Sequence, residues 1–572
     1  MLDPRLSTYR SQTMVSMLVF VAMGLFWFPF GGRDDKYFTF YPAHTLASKG
    51  EILNYSGDSV EQSSTLLMVL TVGLLEWLTG FETLPLAWAF GIAGGLLSIL
   101  ATGWLARRLD PRTHFAAMLM AAVTPYVSYW AFSAMETGWV PALAIVFVAS
   151  AARFMETSSG WPLLVGAAFA YFTIRPESFL VASATVGAWM LLVSLDCAAR
   201  DDRAALWTQL FKGVRVLVAV GCVVLAVTLA RLWFFDAMFP QPVLAKTSKA
   251  LSERIVDGFD YVIRWKQIGP LLGLGFLGAV ESAFRGVRER TALRSLAALL
   301  VFAHLAFVIA AGGDWMEGGR FLVPILPFMA VMAANLLFHL LPQRGAFAGV
   351  ALVVVLSAPA TYRFARNRSL SLPLWEVVSS PPVHGVESYH LLETFNVDHR
   401  ANLPAREALV EIVSLLAAGR PASERVWVLT GHAGEALDFG ARAHPERFGV
   451  IDLHGLSDAY LSRTTLRDPT NTSAIILPRE FFLEHFSELH AESAVPRPDV
   501  LFEMDNVDER KRTTERWSEL GYPIIYRQEG EMYQGAGFRR NTRSQYKLIA
   551  VREDLLPLLQ DRFPRVYRFG EP

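Results

Sequence analysis

The chain has 572 residues, of which 53% are hydrophobic and 18% charged, and its mean hydropathy is +0.32. This composition is too apolar for an ordinary soluble protein and predicts several membrane spans. The net charge of −1 argues against a nucleic-acid-binding protein, and two cysteines provide neither a disulfide framework nor a thiolate metal site. The long apolar runs end near Tyr362, so the sequence predicts a membrane part, residues 1–361, and a soluble part, residues 362–572.

Apolar runs near 20 residues in length predict about 11 transmembrane helices. They lie at residues 14–31, 84–106, 114–134, 138–153, 161–174, 178–196, 214–235, 268–284, 295–312, 321–340 and 346–361. Arg5 and Arg10 precede the first run and no small-residue cleavage site follows it, which indicates an uncleaved span rather than a signal peptide. A further run, 64–78, contains Glu76 and is short, so it fits either a span or a helix lying at the membrane interface.

The distribution of arginine decides between these alternatives, because cytoplasmic loops are enriched in Lys and Arg. If the helix at 64–78 is interfacial, the Arg-rich loops all fall on one side of the membrane. These loops contain Arg5, Arg10, Arg107, Arg108, Arg112, Arg153, Arg200, Arg203, Lys212, Arg215, Arg285, Arg288, Arg290, Arg294 and Arg344. The sequence therefore predicts a polytopic α-helical membrane protein with a cytoplasmic N-terminus, a first outer loop at 31–82 and a C-terminal extracytoplasmic domain.

Acidic and basic side chains gather at the predicted outer ends of the spans. Asp34 and Asp35 directly follow the first span, and ionisable groups at that depth cost free energy unless they have a partner or a function. The other outer loops contribute Glu61, Glu136, Arg175, Glu177, Lys246, Asp314, Trp315 and Arg320. Carboxylates can take a proton from a hydroxyl, and Lys or Arg can hold a phosphate. Each residue also has a plainer interpretation, such as a solvated span end, an Arg–Glu pair in a turn, or a Trp anchor at the interface.

Six motifs occur in order along residues 31–458. They are Asp34-Asp35-Lys36-Tyr37 with Asn54-Tyr55-Ser56-Gly57 and Val60-Glu61, Ser133-Ala134-Met135-Glu136-Thr137, Ile174-Arg175-Pro176-Glu177, Phe239-Pro240-Gln241-Pro242 with Ala245-Lys246, Gly312-Gly313-Asp314-Trp315-Met316 with Arg320-Phe321-Leu322-Val323-Pro324, and Val450-Ile451-Asp452-Leu453-His454-Gly455-Leu456-Ser457-Asp458. In this order they resemble the motifs of polytopic GT-C glycosyltransferases, most closely those of the AftB-like arabinofuranosyltransferase group. Gln241-Pro242 and Gln62-Ser63-Ser64 depart from that group's usual residues, which leaves the sugar open.

The resemblance implies an inverting glycosyltransferase of a bacterial plasma membrane. It would move a sugar, arabinofuranose in that group, from a polyprenyl phosphate to an extracytoplasmic glycan. Asp34 or Asp35 would be the general base, with Asp34 preferred because it lies nearer the span, and Asp35 could instead bind a divalent cation such as Mg²⁺ or Mn²⁺. The resemblance also implies that Lys246, Arg175 and Arg320 hold the donor phosphate, and that Glu61, Glu136, Glu177, Asp314 and Trp315 orient the sugar or these cations.

Other acceptors and other functions stay open at this point. The same chemistry could act on a pilin-like protein or on lipid A. A transporter of the same lipid would instead need ionisable groups near the membrane midplane and internal repeats, and the sequence shows neither. No nucleotide is expected as a partner, since Gly431-His432-Ala433-Gly434 lacks the ending of a phosphate-binding loop.

The soluble part alternates between strand and helix patterns, which predicts a mixed α/β domain. The predicted strands are Val426–Thr430, Val450–Leu453, Ala474–Leu477, Leu501–Glu503 and Lys547–Val551, and the predicted helices between them include Ala405–Ala418 and Phe481–Leu489. We expect this domain to dock the acceptor near the outer membrane face.

Overall fold

The structure is a computed structural model. It describes residues 4–27, 34–245, 251–265, 268–314, 318–368, 397–431, 434–457, 460–463, 479–506, 516–533 and 542–567. Its N-terminal part consists of α-helices: α1 (Pro4–Trp27), α2 (Tyr37–Lys49), α3 (Leu66–Thr79), α4 (Thr83–Leu109), α5 (His114–Val123), α6 (Pro125–Ala131), α7 (Val140–Thr157), α8 (Trp161–Ile174), α9 (Ser178–Ala199), α10 (Arg203–Phe235), α11 (Gln241–Ala245), α12 (Leu251–Arg264), α13 (Gly269–Arg288), α14 (Ala292–Ala311), α15 (Leu326–Leu340) and α16 (Gln343–Arg368).

Seven described helical segments are long and apolar enough to cross a membrane, and the number is eight if the bent pair α12 and α13 forms one span. The chain is therefore a multi-pass membrane protein, while the figure of about 11 spans stays a prediction. The run at 114–134 is interrupted, because Thr124 takes an extended conformation before Pro125 and divides the segment into α5 and α6. The run at 161–174 forms α8, whose 14 residues make a short apolar helix.

Helix α3 occupies the ambiguous run at 64–78. Its 14 residues span about 21 Å, which is less than the thickness of the bilayer's hydrocarbon core. Helix α8 has the same length, so length does not decide between a span and an interfacial helix, and the position of α3 relative to the membrane stays a prediction.

The C-terminal part contains a five-stranded sheet in the order β2-β1-β3-β5-β4. The strands are β1 (Val426–Thr430), β2 (Phe448–Asp452), β3 (Val500–Asn506), β4 (Ile524–Tyr533) and β5 (Thr542–Val551). Strand β1 runs parallel to β2 and β3, whereas β5 runs antiparallel to both β3 and β4. The described helices here include α17 (Val397–Ala418), α18 (Glu435–Ala443), α19 (Tyr460–Arg463), α20 (Arg479–Glu484) and α21 (Phe486–Ser493).

The sheet agrees with most of the strands expected from sequence. Strand β1 has the predicted bounds, and β2, β3 and β5 overlap the predicted strands. The predicted strand at 474–477 lies outside the described residues. Strand β4 was not predicted, because the charged residues and glycine in its sequence IIYRQEGEMY obscure the alternation that identifies a strand.

The first outer loop packs into the core of this C-terminal sheet. Phe38, Tyr41 and Tyr55 are buried in one hydrophobic cluster with residues of α17 and the sheet, including Leu409 and Val450. Burial of the Tyr41 hydroxyl raises its pKa to about 12, with Asp438 of α18 adding to the shift. The two regions, separated by more than 350 residues in the sequence, therefore fold against each other.

Hydrogen bonds fix the position of the loop on the sheet. The Asn54 side-chain amide donates to the Ser457 carbonyl at 2.9 Å, and the Val450 amide donates to the Ser56 hydroxyl at 2.9 Å. Gln241, at the start of α11, donates its backbone amide to the Glu61 carbonyl at 2.9 Å and its side-chain amide to the Gly455 carbonyl at 3.1 Å. Three of the six sequence motifs thus meet at this junction.

Candidate functional site

A cluster of ion pairs surrounds Arg175, between α8 and α9. Pro176 favours an extended backbone at Arg175, which has φ −150° and ψ 120°, and this turn ends α8. The guanidinium Nε of Arg175 lies 2.7 Å from a Glu177 oxygen, and Nη1 lies 3.0 Å from a Glu136 oxygen. The structure therefore brings together two motifs that are separated by 39 residues in the sequence.

Burial disfavours the charged form of both Glu177 and Arg175, but the ion pair outweighs it. Despite burial, Arg175 holds the pKa of the Glu177 carboxyl below its ordinary value of 4.5. The pKa of Arg175 is raised because Glu177 and Glu136 together overcome its desolvation. Glu177 and Arg175 are consequently both charged at neutral pH.

A second ion pair, between Arg320 and Asp314, lies beside the first. Arg320 Nε donates to an Asp314 oxygen at 2.7 Å, and both side chains are buried. The two guanidinium groups share one aromatic neighbour, since the Arg175 and Arg320 centres lie 5.3 and 5.6 Å from the Phe321 ring centroid. Arg320 also lies 5.8 Å from the Trp130 ring centroid.

The glycines of the Gly312-Gly313-Asp314 motif place Asp314. Gly313 has φ +73°, and a Cβ there would lie 2.4 Å from the Tyr261 Cβ. A side chain at this position would therefore both strain the backbone and displace Tyr261. The Tyr261 hydroxyl in turn accepts a hydrogen bond from the Phe321 amide at 3.2 Å, which holds the shared aromatic ring in place.

The carboxylates leave part of each guanidinium group unoccupied. Within the described ranges, Arg320 donates only through Nε and Arg175 only through Nε and Nη1. Asp35 and Glu136 lie close enough to Arg320 to act on it electrostatically. Terminal N–H groups of two arginines therefore remain to bind an anion close to Asp35.

Asp34 and Asp35 begin a short 3-10 helix, Asp34–Lys36, that leads into α2. Asp35 is half-buried, and nothing is described of the Asp34 side chain. The Lys36 ammonium is buried and lies 5.1 and 5.8 Å from the ring centroids of Tyr37 and Trp88. Lys36 therefore packs against aromatic rings next to the aspartates.

Glu61 pairs with Arg231 of α10 rather than with the arginine cluster. Its two oxygens accept hydrogen bonds from Nε and Nη2 of Arg231 in α10, at 2.7 and 3.0 Å. Both side chains are almost fully buried, with exposed fractions of 4% and 1%. This bidentate geometry gives Glu61 the role of joining the first outer loop to α10. Its predicted part in orienting the sugar stays a prediction.

Two predicted site residues, Lys246 and Trp315, lie outside the residues that the structure describes. Among the described residues, no three His, Cys, Asp or Glu side chains converge as metal ligands. The divalent cation expected at Asp35 therefore stays a prediction.

Sequence reasoning overlooked several residues of the cluster. A small cavity lies beside the two arginines and is also lined by Thr137 and His304. Thr137 Oγ1 and His304 Nδ1 are buried and have no hydrogen-bond partner within the described part of the chain. A single histidine within an apolar span was a usable signal, because ionisable residues in spans are rare. Arg231 in α10 gave the same signal.

The last motif has a structural role. Asp452 accepts hydrogen bonds from the backbone amides of His454, Leu456 and Ser457, each at 2.9 Å. The resulting turn presents the Ser457 carbonyl to Asn54 of the first outer loop and the Gly455 carbonyl to Gln241 of α11. This motif therefore positions the C-terminal sheet on the membrane part.

A comparison with curated proteins shows one relative of known activity. The chain is 24% identical over 357 residues to a terminal β-(1→2)-arabinofuranosyltransferase of Corynebacterium glutamicum. The match covers 54% of this chain and 48% of the relative, so the chain spans about half the length of the protein it matches. The resemblance of the chain to GT-C arabinofuranosyltransferases, first seen in its motifs, is confirmed by this relative. No family model matches the chain.

Two solved structures are also similar in outline. The Archaeoglobus fulgidus oligosaccharyltransferase gives a TM-score of 0.48 at 12% identity, covering 89% of this chain and 72% of its own. ArnT from Cupriavidus metallidurans, bound to undecaprenyl phosphate, gives a TM-score of 0.48 at 12% identity, covering 94% of this chain and 97% of its own.

Proposed function

We propose that this protein is an inverting glycosyltransferase that moves a sugar from a polyprenyl phosphate to an extracytoplasmic glycan. The observation that carries this proposal is the pair of arginines on Phe321, with N–H groups left over and Asp35 in electrostatic range. A phosphate needs cationic donors of this kind, and an acceptor hydroxyl needs a nearby base. The related arabinofuranosyltransferase supports arabinofuranose as the sugar.

In the proposed reaction, the acceptor hydroxyl loses its proton to the carboxylate of Asp34 or Asp35. The acceptor oxygen forms a bond to the anomeric carbon while the bond from that carbon to the phosphate oxygen breaks. The electron pair of the broken bond stays on polyprenyl phosphate, which leaves. Attack from the side opposite the leaving group inverts the configuration at the anomeric carbon.

Arg320 and Arg175 would stabilise the charge that develops on the leaving phosphate. Glu136, Glu177 and Asp314 hold the guanidinium groups in place, so little reorganisation is needed when the charge appears. Lys246 would add a third cation to the same phosphate. The first outer loop and the C-terminal sheet, which share one core, would form the acceptor side of the site.

We also propose that this site faces the outside of the cell, with the N-terminus in the cytoplasm. The arginine-rich helix ends support this orientation, because Arg107 and Arg108 end α4 at the side away from the first outer loop. The sugar donor and the acceptor would then both be reached from the outer leaflet.

A donor panel tests the proposed function. The purified protein in bilayer discs is incubated with several polyprenyl-phosphate sugars and a glycan acceptor, and released polyprenyl phosphate and glycosylated acceptor are measured together. We expect one donor to be consumed with equal amounts of both products. Consumption of no donor, or movement of donor across vesicle membranes without transfer, would contradict the proposal.

Single variants then rank the two aspartates. Asp34→Asn and Asp35→Asn are compared with Asp58→Asn, a matched change in the same loop at a partly exposed residue that pairs with Arg425. Loss of the base should lower the transfer rate by about 10² to 10⁴-fold, while Asp58→Asn stays near the wild-type rate. Full activity in both Asp34→Asn and Asp35→Asn would show that the base lies elsewhere.

A further inference from the structure

A groove lies between α1, α4 and α5, away from the ion-pair cluster. Its volume is about 610 Å³, and its apolar lining consists of Met14, Met17, Leu18, Val21 and Leu96. Met14 and Leu18 are each 61% exposed, so the groove opens to the side of the helix bundle. In a membrane protein this side faces lipid hydrocarbon.

One end of the groove carries positive charge. Arg10 of α1 and Arg107 of α4 line it together with Tyr9, Thr13 and His114. The Arg107 guanidinium lies 5.6 Å from the Tyr9 ring centroid, and Tyr9 meets the His114 ring edge to face at 5.2 Å. His114 is itself fixed by Thr13 Oγ1 at 3.2 Å and by the Gly103 carbonyl at 3.0 Å. The cationic end is therefore built on ordered aromatic side chains.

The two groove arginines differ from the buried arginines of the ion-pair cluster. Arg175, Arg231 and Arg320 each pair with at least one carboxylate. In the described ranges, no carboxylate pairs with Arg10 or Arg107. Their counter-charge must therefore come from solvent or from a bound anion.

The groove also lies far from the ion-pair cluster along the membrane normal. The backbone at Met135, next to Glu136, approaches Gly91 of α4. Arg107 follows Gly91 by 107 − 91 = 16 residues on the same helix, a rise of about 24 Å. Because the hydrocarbon core is about 30 Å thick, a membrane-spanning α4 would hold the groove arginines and the arginine cluster at opposite leaflets.

We infer that this groove binds an anionic phospholipid of that leaflet, with the phosphate on Arg10 and Arg107 and an acyl chain along Met14, Leu18 and Leu96. Guanidinium groups match phosphate oxygens in geometry and charge, and basic pockets between spans suit anionic headgroups. The flexible side chains of Met14 and Met17 suit an acyl chain, because thioethers adapt to irregular apolar shapes. This inference does not depend on the proposed transfer reaction.

Native mass spectrometry of the full-length protein tests the inference. The protein is purified in neutral detergent and titrated with phosphatidylglycerol or phosphatidylcholine of the same acyl chains. We expect one phosphatidylglycerol to be retained at concentrations where phosphatidylcholine is not. Arg107→Gln should weaken this binding about tenfold, the usual effect of losing a charge-assisted contact.

Arg108→Gln is the matched control, because Arg108 is the next residue on α4, is exposed, packs on Trp104 and does not line the groove. The Arg108→Gln variant should retain phosphatidylglycerol as well as the wild-type protein does. Leu96→Trp fills the groove without changing its charge and should abolish the retention of phosphatidylglycerol. Thermal unfolding without lipid confirms that each variant folds, and Arg10→Gln replaces Arg107→Gln if that variant does not fold.

Two results would overturn the inference. Equal retention of the two phospholipids, which both carry a phosphate, would show that the groove does not select a lipid of net negative charge. Equal loss in Arg107→Gln and Arg108→Gln, with no effect of Leu96→Trp, would show non-specific attraction to the charged helix end.

Discussion

Two arginine centres on the first-loop side of the molecule are built from the same residue types but differ in what they leave available. In the Arg231–Glu61 pair, both carboxylate oxygens and two guanidinium nitrogens are used in one bidentate contact. In the Arg175–Arg320 cluster, each arginine is held through its Nε while terminal N–H groups remain. The Arg231–Glu61 pair, in which Arg231 Nη1 stays without a partner in the described part of the chain, joins two segments, whereas the terminal N–H groups of two adjacent arginines can bind an anion.

The surroundings of the two centres support this distinction. Glu61 contributes its backbone carbonyl to Gln241 as well as its side chain to Arg231, so it joins the first loop to α10 and α11. The Arg175–Arg320 cluster is instead backed by Phe321 and bordered by a cavity with two unsatisfied polar atoms. The first centre should therefore respond to mutation through stability alone, and the second through both stability and activity.

The largest expected effect is on catalysis at the second centre. Arg320→Gln removes the charge that would stabilise the leaving phosphate, so transfer should fall by about 10² to 10³-fold. Because Arg320→Gln also leaves the buried Asp314 carboxylate without its partner, the free energy of unfolding should fall too, and transfer is measured at a temperature at which the variant stays folded. Arg264→Gln, at an exposed position that ends α12, is the control and should retain activity. A wild-type transfer rate in Arg320→Gln would show that Arg320 does not stabilise the leaving phosphate.

Mutation of the Arg231–Glu61 pair should lower stability rather than the rate of the chemical step. Glu61→Gln leaves the buried Arg231 charge uncompensated and should lower the free energy of unfolding by about 3–5 kcal/mol. The double variant Glu61→Met with Arg231→Met removes both charges and should recover much of this loss. Chemical unfolding in detergent measures the free energy of unfolding of the single and the double variant. A double variant as unstable as Glu61→Gln would show that the unpaired Arg231 charge does not cause the loss of stability.

A smaller effect is expected where the first loop meets the C-terminal sheet. Asn54→Ala removes the bond to the Ser457 carbonyl and the bond from the Asp58 amide, at a cost of about 1–3 kcal/mol. Hydrogen exchange of the β2 region should become faster. Ser59→Ala, which removes an exposed hydroxyl in the same loop, serves as the control.

The smallest effect is a dependence of stability on pH. Because the pKa of Glu177 is lowered in the folded protein, its contribution is fully present above the ordinary value of 4.5. It is lost as the pH falls below 4.5 through the folded-state pKa. In Glu177→Gln the free energy of unfolding should depend less steeply on pH below 4.5. A pH dependence equal to that of the wild-type protein would mean that other carboxylates dominate it.

Some of these features could be predicted from local sequence. The apolar runs predicted the long helices, and the β-branched and aromatic run at 426–430 predicted β1 with its bounds. A pair between Arg175 and Glu177 was one of the interpretations open from sequence, because Pro176 disfavours a helical conformation at Arg175. Interactions over a few residues need only local backbone preferences, which the sequence records directly.

The break at Pro125 was also visible in the sequence, but hydropathy alone read the segment as one continuous span. Strand β4 was missed because its partner β5, rather than its own composition, makes it a strand. Glu61 was grouped with the site residues, while its partner Arg231 lies 170 residues further along the chain. No local pattern connects residues at such a separation.

The sequence by itself determined a multi-pass membrane protein with charged loops between its apolar runs, because hydropathy and charge act residue by residue. Only the tertiary structure decided that Arg231 pairs singly with Glu61 and that Arg175 and Arg320 lie together on one aromatic ring. It also decided that Phe38, Tyr41 and Tyr55 belong to the core of the C-terminal sheet. These outcomes depend on contacts between side chains that are far apart in the sequence. Only the packing of the folded chain determines such contacts.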